Sequence, residues 1–161
     1  RNFYKPNKEI AETTLKSVVS KVLNIIKSSL DSHSVKLTFD YQSKNRLKIY
    51  ENEIMHTILN ILKNSQDCFL ERNIDNPQID IKTKGNYIVI CDNAVGILAV
   101  IIYTIFDPYF STKYEKNGTG LGLYMSKIII EEHHNGVFDV ANIDDEGVGS
   151  GVCFTIDLGN S

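Results

Sequence analysis

A run of glycines leads directly into an apolar helical pattern in the last third of the chain. Residues 117 to 123 read Asn-Gly-Thr-Gly-Leu-Gly-Leu. Glycines let the backbone approach a ligand closely and turn several N–H groups toward it, and the dipole of the following helix favours negative charge. The run therefore suits a nucleotide phosphate chain. Its G-x-G-x-G spacing differs from the G-x-x-x-x-G-K-[ST] loop and from the G-x-G-x-x-G fingerprint, so neither of those folds is indicated.

The overall composition indicates one domain of ordinary soluble character. The 161 residues are 42% apolar and 23% charged, with a net charge of -3 and scattered basic residues, which argues against a nucleic-acid surface. The longest apolar run, 97–106, is shorter than the roughly 20 residues of a membrane span. We therefore expect a cytoplasmic fragment without membrane contact. Because the chain starts at Arg1 rather than Met, we expect it to come from a longer protein, which can itself be membrane-anchored.

The three cysteines are Cys68, Cys91 and Cys153. They are odd in number, far apart and set among apolar residues. This pattern predicts reduced core thiols rather than a disulfide or a metal site.

Hydrophobic periodicity predicts three helices and about six strands. The helices are expected at about 13–32, 52–72 and 120–134; the strands are expected at 35–39 and 47–49 as a pair, at 79–83 and 87–91 as a hairpin, and at 137–141 and 152–158. Residues 1–12 are expected to be a linker and 13–161 the domain. This order predicts an α+β two-layer sandwich, with the helices on one face of an open, mixed and mostly antiparallel sheet.

The second predicted helix carries an apolar stripe and a separate polar face. The stripe consists of Ile54, Ile58, Ile61, Leu62 and Phe69, and the polar face consists of Asn60, Asn64, Asp67 and Glu71. A solvated face is one interpretation. A ligand site is the other, because Asn is a weaker helix former than Lys or Glu. An Asn carbonyl is also a hard neutral oxygen, suited to Mg²⁺ that takes further oxygens from phosphates.

Two further segments flank the irregular region 93–119. Asp92 follows a buried strand and either caps a turn or accepts a hydrogen bond from an exocyclic amino group, which adenine has and guanine lacks at that edge. The aromatic residues of segment 106–113 either anchor a loop or belong to a phosphate site. In the second interpretation Lys113 reaches a terminal phosphate as a point charge.

Together and in this order, these segments resemble the ATP-binding catalytic domain of two-component sensor histidine kinases. That domain belongs to the GHKL superfamily, shared with gyrase, the heat-shock chaperone and mismatch-repair ATPases. The resemblance covers about residues 13–158. Its motifs are the Asn box at 59–67, the Asp box at 92–96, the Phe-Pro-Phe-Thr-Lys box at 106–113 and the glycine run at 118–123.

The resemblance implies the Bergerat (GHKL) ATP-binding fold and a site for ATP and Mg²⁺. It assigns the metal ligand to Asn64 and adenine binding to Asp92. The implied catalytic residues are Asn60, near the phosphates, and Lys113, on the terminal phosphate. The resemblance also implies a mobile ATP lid at about 97–117. The other residues implied in nucleotide binding are Asp67, Gly96, Ile97, Phe106, Gly118, Thr119, Gly120, Leu121, Gly122 and Leu123.

Residue 60 distinguishes the reactions within this superfamily. Hydrolases and related serine kinases carry a Glu four residues before the Mg²⁺ Asn, because water or a hydroxyl needs a general base. Here that position is Asn60. A neutral imidazole, with a pKa near 6.5, is already nucleophilic at pH 7. The sequence therefore favours phosphoryl transfer from ATP to a His over hydrolysis or serine phosphorylation.

The phosphoacceptor His is expected on another domain. His33, His56, His133 and His134 all lie outside a His-Glu-x-x-x-Pro context and are expected at the surface or at helix ends. By the resemblance, the acceptor lies on a dimerisation hairpin that precedes this domain, and segment 3–6 marks the junction. The full-length kinase is expected to be a homodimer that serves a downstream response regulator.

Three departures from the family pattern support an alternative. Val95 stands at a lid hinge that is often Gly, and 97–105 is unusually apolar for a solvated lid helix. Val152 replaces a small hydroxyl residue that commonly holds adenine through water. The alternative is a regulatory module, with or without bound nucleotide, that has lost catalysis.

Overall fold

The computed structural model describes residues 9–94, 105–107, 122–143 and 151–159. The strands are β1 (Ala11–Thr14), β2 (Lys36–Tyr41), β3 (Arg46–Ile49), β4 (Gln78–Lys84), β5 (Tyr87–Asp92), β6 (Val137–Asn142) and β7 (Val152–Asp157). The helices are α1 (Leu15–Ser32), α2 (Glu51–Arg72) and α3 (Gly122–Ile128), and α3 continues into a π-helical turn (Ile129–His133).

The main sheet has five strands in the order β2-β4-β5-β7-β6. The β2–β4 pair is parallel and the other three pairs are antiparallel. Along β5, Ile88, Ile90 and Asp92 are buried, whereas the alternate residues are half-buried, because successive side chains of a strand point to opposite faces. The helices cover one face, so the predicted α+β two-layer sandwich is confirmed. The β4–β5 hairpin also forms as predicted.

The predicted pairing of the strands at 35–39 and 47–49 is wrong. β2 pairs with β4, with Phe39 opposite Ile81, whereas β3 pairs with β1 in a separate two-stranded sheet. β1 also takes in Ala11 and Glu12, which the sequence assigned to the linker. The turn-like residues between β2 and β3 suit a hairpin, but alternation within a strand does not specify its partner.

Helices α1 and α2 bury the apolar faces that their periodicity predicts. The Thr14 side chain caps α1 by accepting a hydrogen bond from the Ser17 N–H at 3.2 Å. All five residues of the predicted α2 stripe are buried. The helix ends at Asn73, which adopts φ 52°, a left-handed conformation that Asn tolerates and that closes many helix C-termini. No helix within the described ranges has both the length and the apolar character of a membrane span.

Two histidines fasten the π-helical turn to the start of α2. His133 Nδ1 lies 3.0 Å from Glu53 Oε1, and the two side chains are 12% and 10% exposed. His134 Nε2 accepts a hydrogen bond from the Tyr50 N–H at 3.1 Å, while its Nδ1 donates to the Ile129 carbonyl at 2.9 Å. Both residues end a helix as predicted, but their rings pack between elements rather than on the surface.

Acidification is expected to destabilise the domain through His134. Burial lowers the pKa of this imidazole, with His133 acting in the same direction, and the Ile129 hydrogen bond and Glu53 oppose the shift. Since the folded-state pKa lies below the ordinary 6.5, the unfolded chain takes up the proton first as the pH falls. The contribution of His134 to stability is intact above pH 6.5 and is lost below it, by at most about 1.4 kcal/mol per pH unit.

Urea unfolding at pH 7.5 and pH 5.5 measures this dependence. The free energy of unfolding should fall at the lower pH, and the fall should be smaller in a His134→Gln variant, which lacks the titrating ring. Equal falls in both proteins would contradict the assignment to His134.

The prediction of three reduced thiols is wrong for two of them. Cys91 and Cys153 form a disulfide across β5 and β7. Their register places them directly opposite each other, on the face that the helices do not cover. Cys68 is a buried free thiol, as predicted. Burial raises the pKa of Cys68 to about 12, so this thiol is protonated and unreactive at neutral pH.

Candidate nucleotide-binding site

Asp92 is a buried carboxylate at the end of a central strand. It is 5% exposed. Its Oδ2 accepts a hydrogen bond from the Ser65 hydroxyl of α2 at 2.7 Å, and its Oδ1 accepts from the Ala94 N–H at 3.1 Å. The backbone N–H of Val152, at the start of β7, also bonds to this carboxylate. Three elements of the fold therefore meet at Asp92.

Burial raises the pKa of the Asp92 carboxyl group above its ordinary value. The Ser65, Ala94 and Val152 hydrogen bonds and the nearby Arg72 charge oppose this rise but do not cancel it. A carboxylate offers about four acceptor positions. Three are filled by the donors named here, which leaves an acceptor position for a further N–H group, such as the exocyclic amino group of adenine.

Gly151 permits the close approach of β7 to Asp92. Its φ is +129°, and a Cβ placed at this position would lie 1.8 Å from the Asp92 carbonyl oxygen. Any side chain there would collide with the β5 backbone. The contact joins residues on different strands, so local sequence does not identify it.

Asn60 and the start of α3 form a second cluster. The Asn60 amide nitrogen lies 3.4 Å from the Gly122 carbonyl and 3.3 Å from Ser126 Oγ, and the fully buried Ser126 hydroxyl donates to the same carbonyl at 2.9 Å. Because both partners accept from the amide nitrogen, the Asn60 carbonyl oxygen is turned away from them. Gly122 at the start of α3 and Asn60 of the Asn box are therefore adjacent.

Asn64 and Asp67 lie on the same half-buried face of α2 as Asn60. Positions three or four residues apart on a helix lie about one turn, or about 5.4 Å along the axis, from each other. Within the part of the chain that the structure describes, the Asn64 side chain makes no hydrogen bond, whereas Asp67 is engaged. No cluster of three or more His, Cys, Asp or Glu side chains in these ranges could hold a metal ion. An amide oxygen such as that of Asn64 suits a metal that takes further ligand oxygens from phosphate and water.

Phe106 and Leu123 pack against other side chains of the fold. The Phe106 ring lies 5.1 Å from that of Phe138 and 4.9 Å from the Lys127 ammonium group, so it packs between α3 and β6. Leu123 is 5% exposed and belongs to the core. Neither residue is placed beside Asp92 by any of these contacts.

The remaining predicted site residues lie outside the described residues. They are Gly96, Ile97, Lys113, Gly118, Thr119, Gly120 and Leu121, together with the lid at 97–117 apart from 105–107. The unusual residues at 95 and 97–104 also fall there. Of the predicted set, four residues lie on adjoining parts of α2 and α3, namely Asn60, Asn64, Asp67 and Gly122. Asp92 is hydrogen-bonded to Ser65, the residue that follows Asn64 on α2.

Two functional candidates were missed by the sequence interpretation. Ser65 lies inside the predicted Asn box, and Ser126 lies in the predicted third helix, but neither was assigned a role. Their signal in the sequence is weak, since the contact that gives each hydroxyl its place in the site comes from another element. Ser65 donates to Asp92 of β5, and Ser126 Oγ accepts from Asn60 of α2.

The family model of histidine kinase-, DNA gyrase B- and HSP90-like ATPases matches residues 49–160 of this chain. The match includes Asn60, Asp92 and Gly122. The chain belongs to this ATPase family. Membership confirms the resemblance inferred from the four motifs and implies that the domain uses a nucleotide.

Named relatives of this ATPase domain are sensor histidine kinases. The chain is 28% identical over 146 residues to sensor histidine kinase ZraS of Salmonella typhimurium, and the match covers 88% of this chain and 30% of ZraS. It is 31% identical over 97 residues to the putative sensor histidine kinase NtrY-like protein of Rickettsia prowazekii, covering 59% of this chain and 16% of that protein. The chain thus spans less than a third of either relative.

Solved structures agree on the fold of this ATPase domain. The catalytic domain of histidine kinase ThkA superposes with a TM-score of 0.75 at 23% identity, covering 93% of this chain and 98% of that one. ThkA in complex with the response regulator protein TrrA superposes with a TM-score of 0.70 at 21% identity, covering 94% of this chain and 44% of that one. At these identities the likeness shows the two-layer fold alone.

Proposed function

We propose that this chain is the ATP-binding catalytic domain of a sensor histidine kinase. In this proposal it transfers the γ-phosphate of ATP to a His on a separate dimerisation domain. The observation that carries the proposal is Asn60 in contact with Gly122 at the start of α3. Hydrolysis needs a general base at the phosphates, and residue 60, where the superfamily's hydrolases carry a Glu, is a neutral amide. An imidazole nucleophile makes little demand on such a base.

The adenine end of the proposed site consists of Asp92 and its hydrogen-bond partners. The buried carboxylate accepts the exocyclic amino group of adenine and disfavours guanine, whose carbonyl at that edge would face another acceptor. The phosphate end consists of Asn60, Gly122 and the preceding glycines. Lys113 neutralises charge on the terminal phosphate in the transition state.

The Mg²⁺ of the proposed site is held by Asn64. Its amide supplies one hard neutral oxygen on a half-buried helix face, which suits an ion that keeps waters and takes phosphate oxygens. When bound, Mg²⁺ offsets the negative charge of the phosphates. Asn64 keeps the phosphate chain at a fixed distance from Asp92, because Asn64 lies on α2 and Asp92 is hydrogen-bonded to Ser65 of the same helix.

The other partners of the proposed kinase lie on other domains. Residues 1–12, apart from the first residues of β1, connect to a phosphoacceptor hairpin that dimerises in the full-length protein, and 13–161 form the catalytic domain. The downstream partner is a response regulator. Support comes from the relatives named as sensor kinases and from ThkA, whose structure is known with a response regulator protein.

A fusion protein tests the reaction. A two-helix hairpin that carries a phosphoacceptor His in the His-Glu-x-x-x-Pro context is placed ahead of Arg1, and the fusion is incubated with Mg²⁺ and γ-labelled ATP. The expected product is an acid-labile, alkali-stable phosphate on the hairpin, with little inorganic phosphate released. An Asn60→Glu variant should release inorganic phosphate faster, because it regains a general base.

Two results would contradict the proposed reaction. One is rapid hydrolysis by the unmodified chain without an acceptor, which would favour an ATPase. The other is a fusion that binds ATP but neither phosphorylates the hairpin nor releases inorganic phosphate. That result would favour the regulatory module that has lost catalysis.

A further inference from the structure

Ser65 connects helix α2 to the carboxylate of Asp92. The Ser65 residue is 3% exposed, and its hydroxyl lies 2.7 Å from Asp92 Oδ2 in a buried contact. The hydrogen bond joins residues 27 positions apart, so it holds two elements together rather than one turn. A bond from a hydroxyl to a carboxylate is charge-assisted and among the stronger hydrogen bonds in proteins.

Ser65 differs in kind from the other donors to Asp92. The hydrogen bonds from Ala94 and Val152 come from the backbone, so no substitution removes them without changing the chain path. Within the described ranges, Ser65 supplies the side-chain hydrogen bond to this carboxylate. It is therefore the position at which a change of residue can alter the charge and orientation of Asp92 while the strands stay in place.

We propose that Ser65 is a positioning residue for adenine recognition, whose hydroxyl holds the Asp92 carboxylate in the orientation that meets the exocyclic amino group. The proposal rests on the proposed function, in which Asp92 binds adenine. Ser65 touches neither the nucleotide nor the phosphates and acts through Asp92. Its role is to fill one acceptor position, so that the orientation of the two oxygens is fixed before ligand arrives.

The same hydrogen bond sets the distance between the two ends of the site. Asn64 and Ser65 are consecutive on α2, one proposed to face the metal and the other bonded to Asp92. A shift or rotation of α2 against β5 would therefore move both ends together. Pre-organisation of this kind lowers the cost of ordering the site when ligand binds.

The charged and titratable groups around Asp92 determine the pH at which its carboxylate is lost. Arg72 of α2 favours the charged form, and burial opposes it. Cys68 of the same helix is neutral, since its pKa is raised to about 12. Removal of the Ser65 hydroxyl withdraws one of the contributions that oppose the rise in the pKa of Asp92. A Ser65→Ala protein should therefore lose adenine binding at a higher pH than the unmodified protein.

Nucleotide titrations of matched variants test the proposal. Dissociation constants for non-hydrolysable ATP and GTP analogues are measured between pH 5.5 and 8.5 for the unmodified chain, Ser65→Ala, Ser65→Cys and Ser65→Thr. Thr57→Val is the control, because Thr57 is a fully buried hydroxyl residue of α2 that donates to the Glu53 carbonyl instead. Thermal melts of each variant report folding.

Ser65→Ala is expected to bind the ATP analogue about tenfold more weakly at pH 7. The preference for ATP over GTP should fall by a similar factor, and the acid limb of the ATP profile should move to higher pH. Ser65→Thr should restore binding, since it keeps the hydroxyl, and Ser65→Cys should be intermediate because S–H is a weak donor. Thr57→Val should leave the dissociation constant and its pH profile unchanged.

The titrations distinguish a failure of the proposed function from a failure of the proposed role of Ser65. If the unmodified chain fails to bind the ATP analogue, the proposed function fails. If it binds but Ser65→Ala binds equally well, or loses ATP and GTP affinity alike with an unmoved pH profile, the role of Ser65 is overturned. Should Ser65→Ala fail to fold, an Ser65→Cys protein that folds and matches the unmodified chain overturns it as well.

Discussion

Replacement of Asp92 by Asn is expected to weaken ATP binding by at least about 100-fold, which corresponds to about 3 kcal/mol. The Asp92 carboxylate accepts from Ser65, Ala94 and Val152 in a site that is 5% exposed. An Asn side chain has one acceptor oxygen, and its NH₂ group would face one or more of these donors. The loss therefore combines a missing acceptor for adenine with an unsatisfied buried donor. Displacement of a fluorescent ATP analogue measures the affinity.

A second Asp provides the matched control for this substitution. Asp31 lies on α1, is 57% exposed and pairs with Lys27 on the surface. An Asp31→Asn variant has the same change of charge and should bind ATP as the unmodified chain does. Equal affinities for Asp92→Asn and Asp31→Asn would show that Asp92 does not bind the base.

Reduction of the Cys91–Cys153 disulfide is expected to lower the free energy of unfolding by about 4 kcal/mol. The bond joins residues separated by 62 positions, and the loss of loop-closure entropy in the unfolded chain grows with the logarithm of the loop length. Both cysteines are half-buried on the uncovered face of the sheet, so a small thiol reductant can reach them. Urea unfolding with and without reductant measures the difference.

The double variant Cys91→Ser, Cys153→Ser is the control for this measurement. Its unfolding midpoint should not respond to reductant, since the remaining Cys68 is a buried free thiol. A midpoint of the unmodified chain that is the same in both conditions would contradict the stabilising role of the disulfide.

The positions of the helices and strands were predicted better than the contacts between them. α2 and the β4–β5 hairpin are local features, readable from periodicity and a tight turn between adjacent segments. The partner of β2 is instead set by a contact with β4, about 40 residues away. The disulfide was missed for the same reason, because it depends on the register of β5 against β7 rather than on the residues around each Cys.

The candidate site divides in the same way. Asn60, Asn64 and Asp92 could be predicted because their residue types are unusual for a helix face or a strand end and recur in a family pattern. Ser65 and Gly151 could not be assigned, since each acquires its role from a residue on another element, namely Asp92. His133 and His134 were read as helix-end residues, but their burial follows from the packing of the π-helical turn on α2.

Calorimetric titration of the unmodified chain with a non-hydrolysable ATP analogue, with and without Mg²⁺, tests the central claim most directly. We predict saturable binding at one site, tighter in the presence of Mg²⁺, and much weaker binding of the matching GTP analogue. The absence of saturable binding in both conditions, or equal affinity for the two nucleotides, would contradict an adenine site at Asp92 and a kinase built on it.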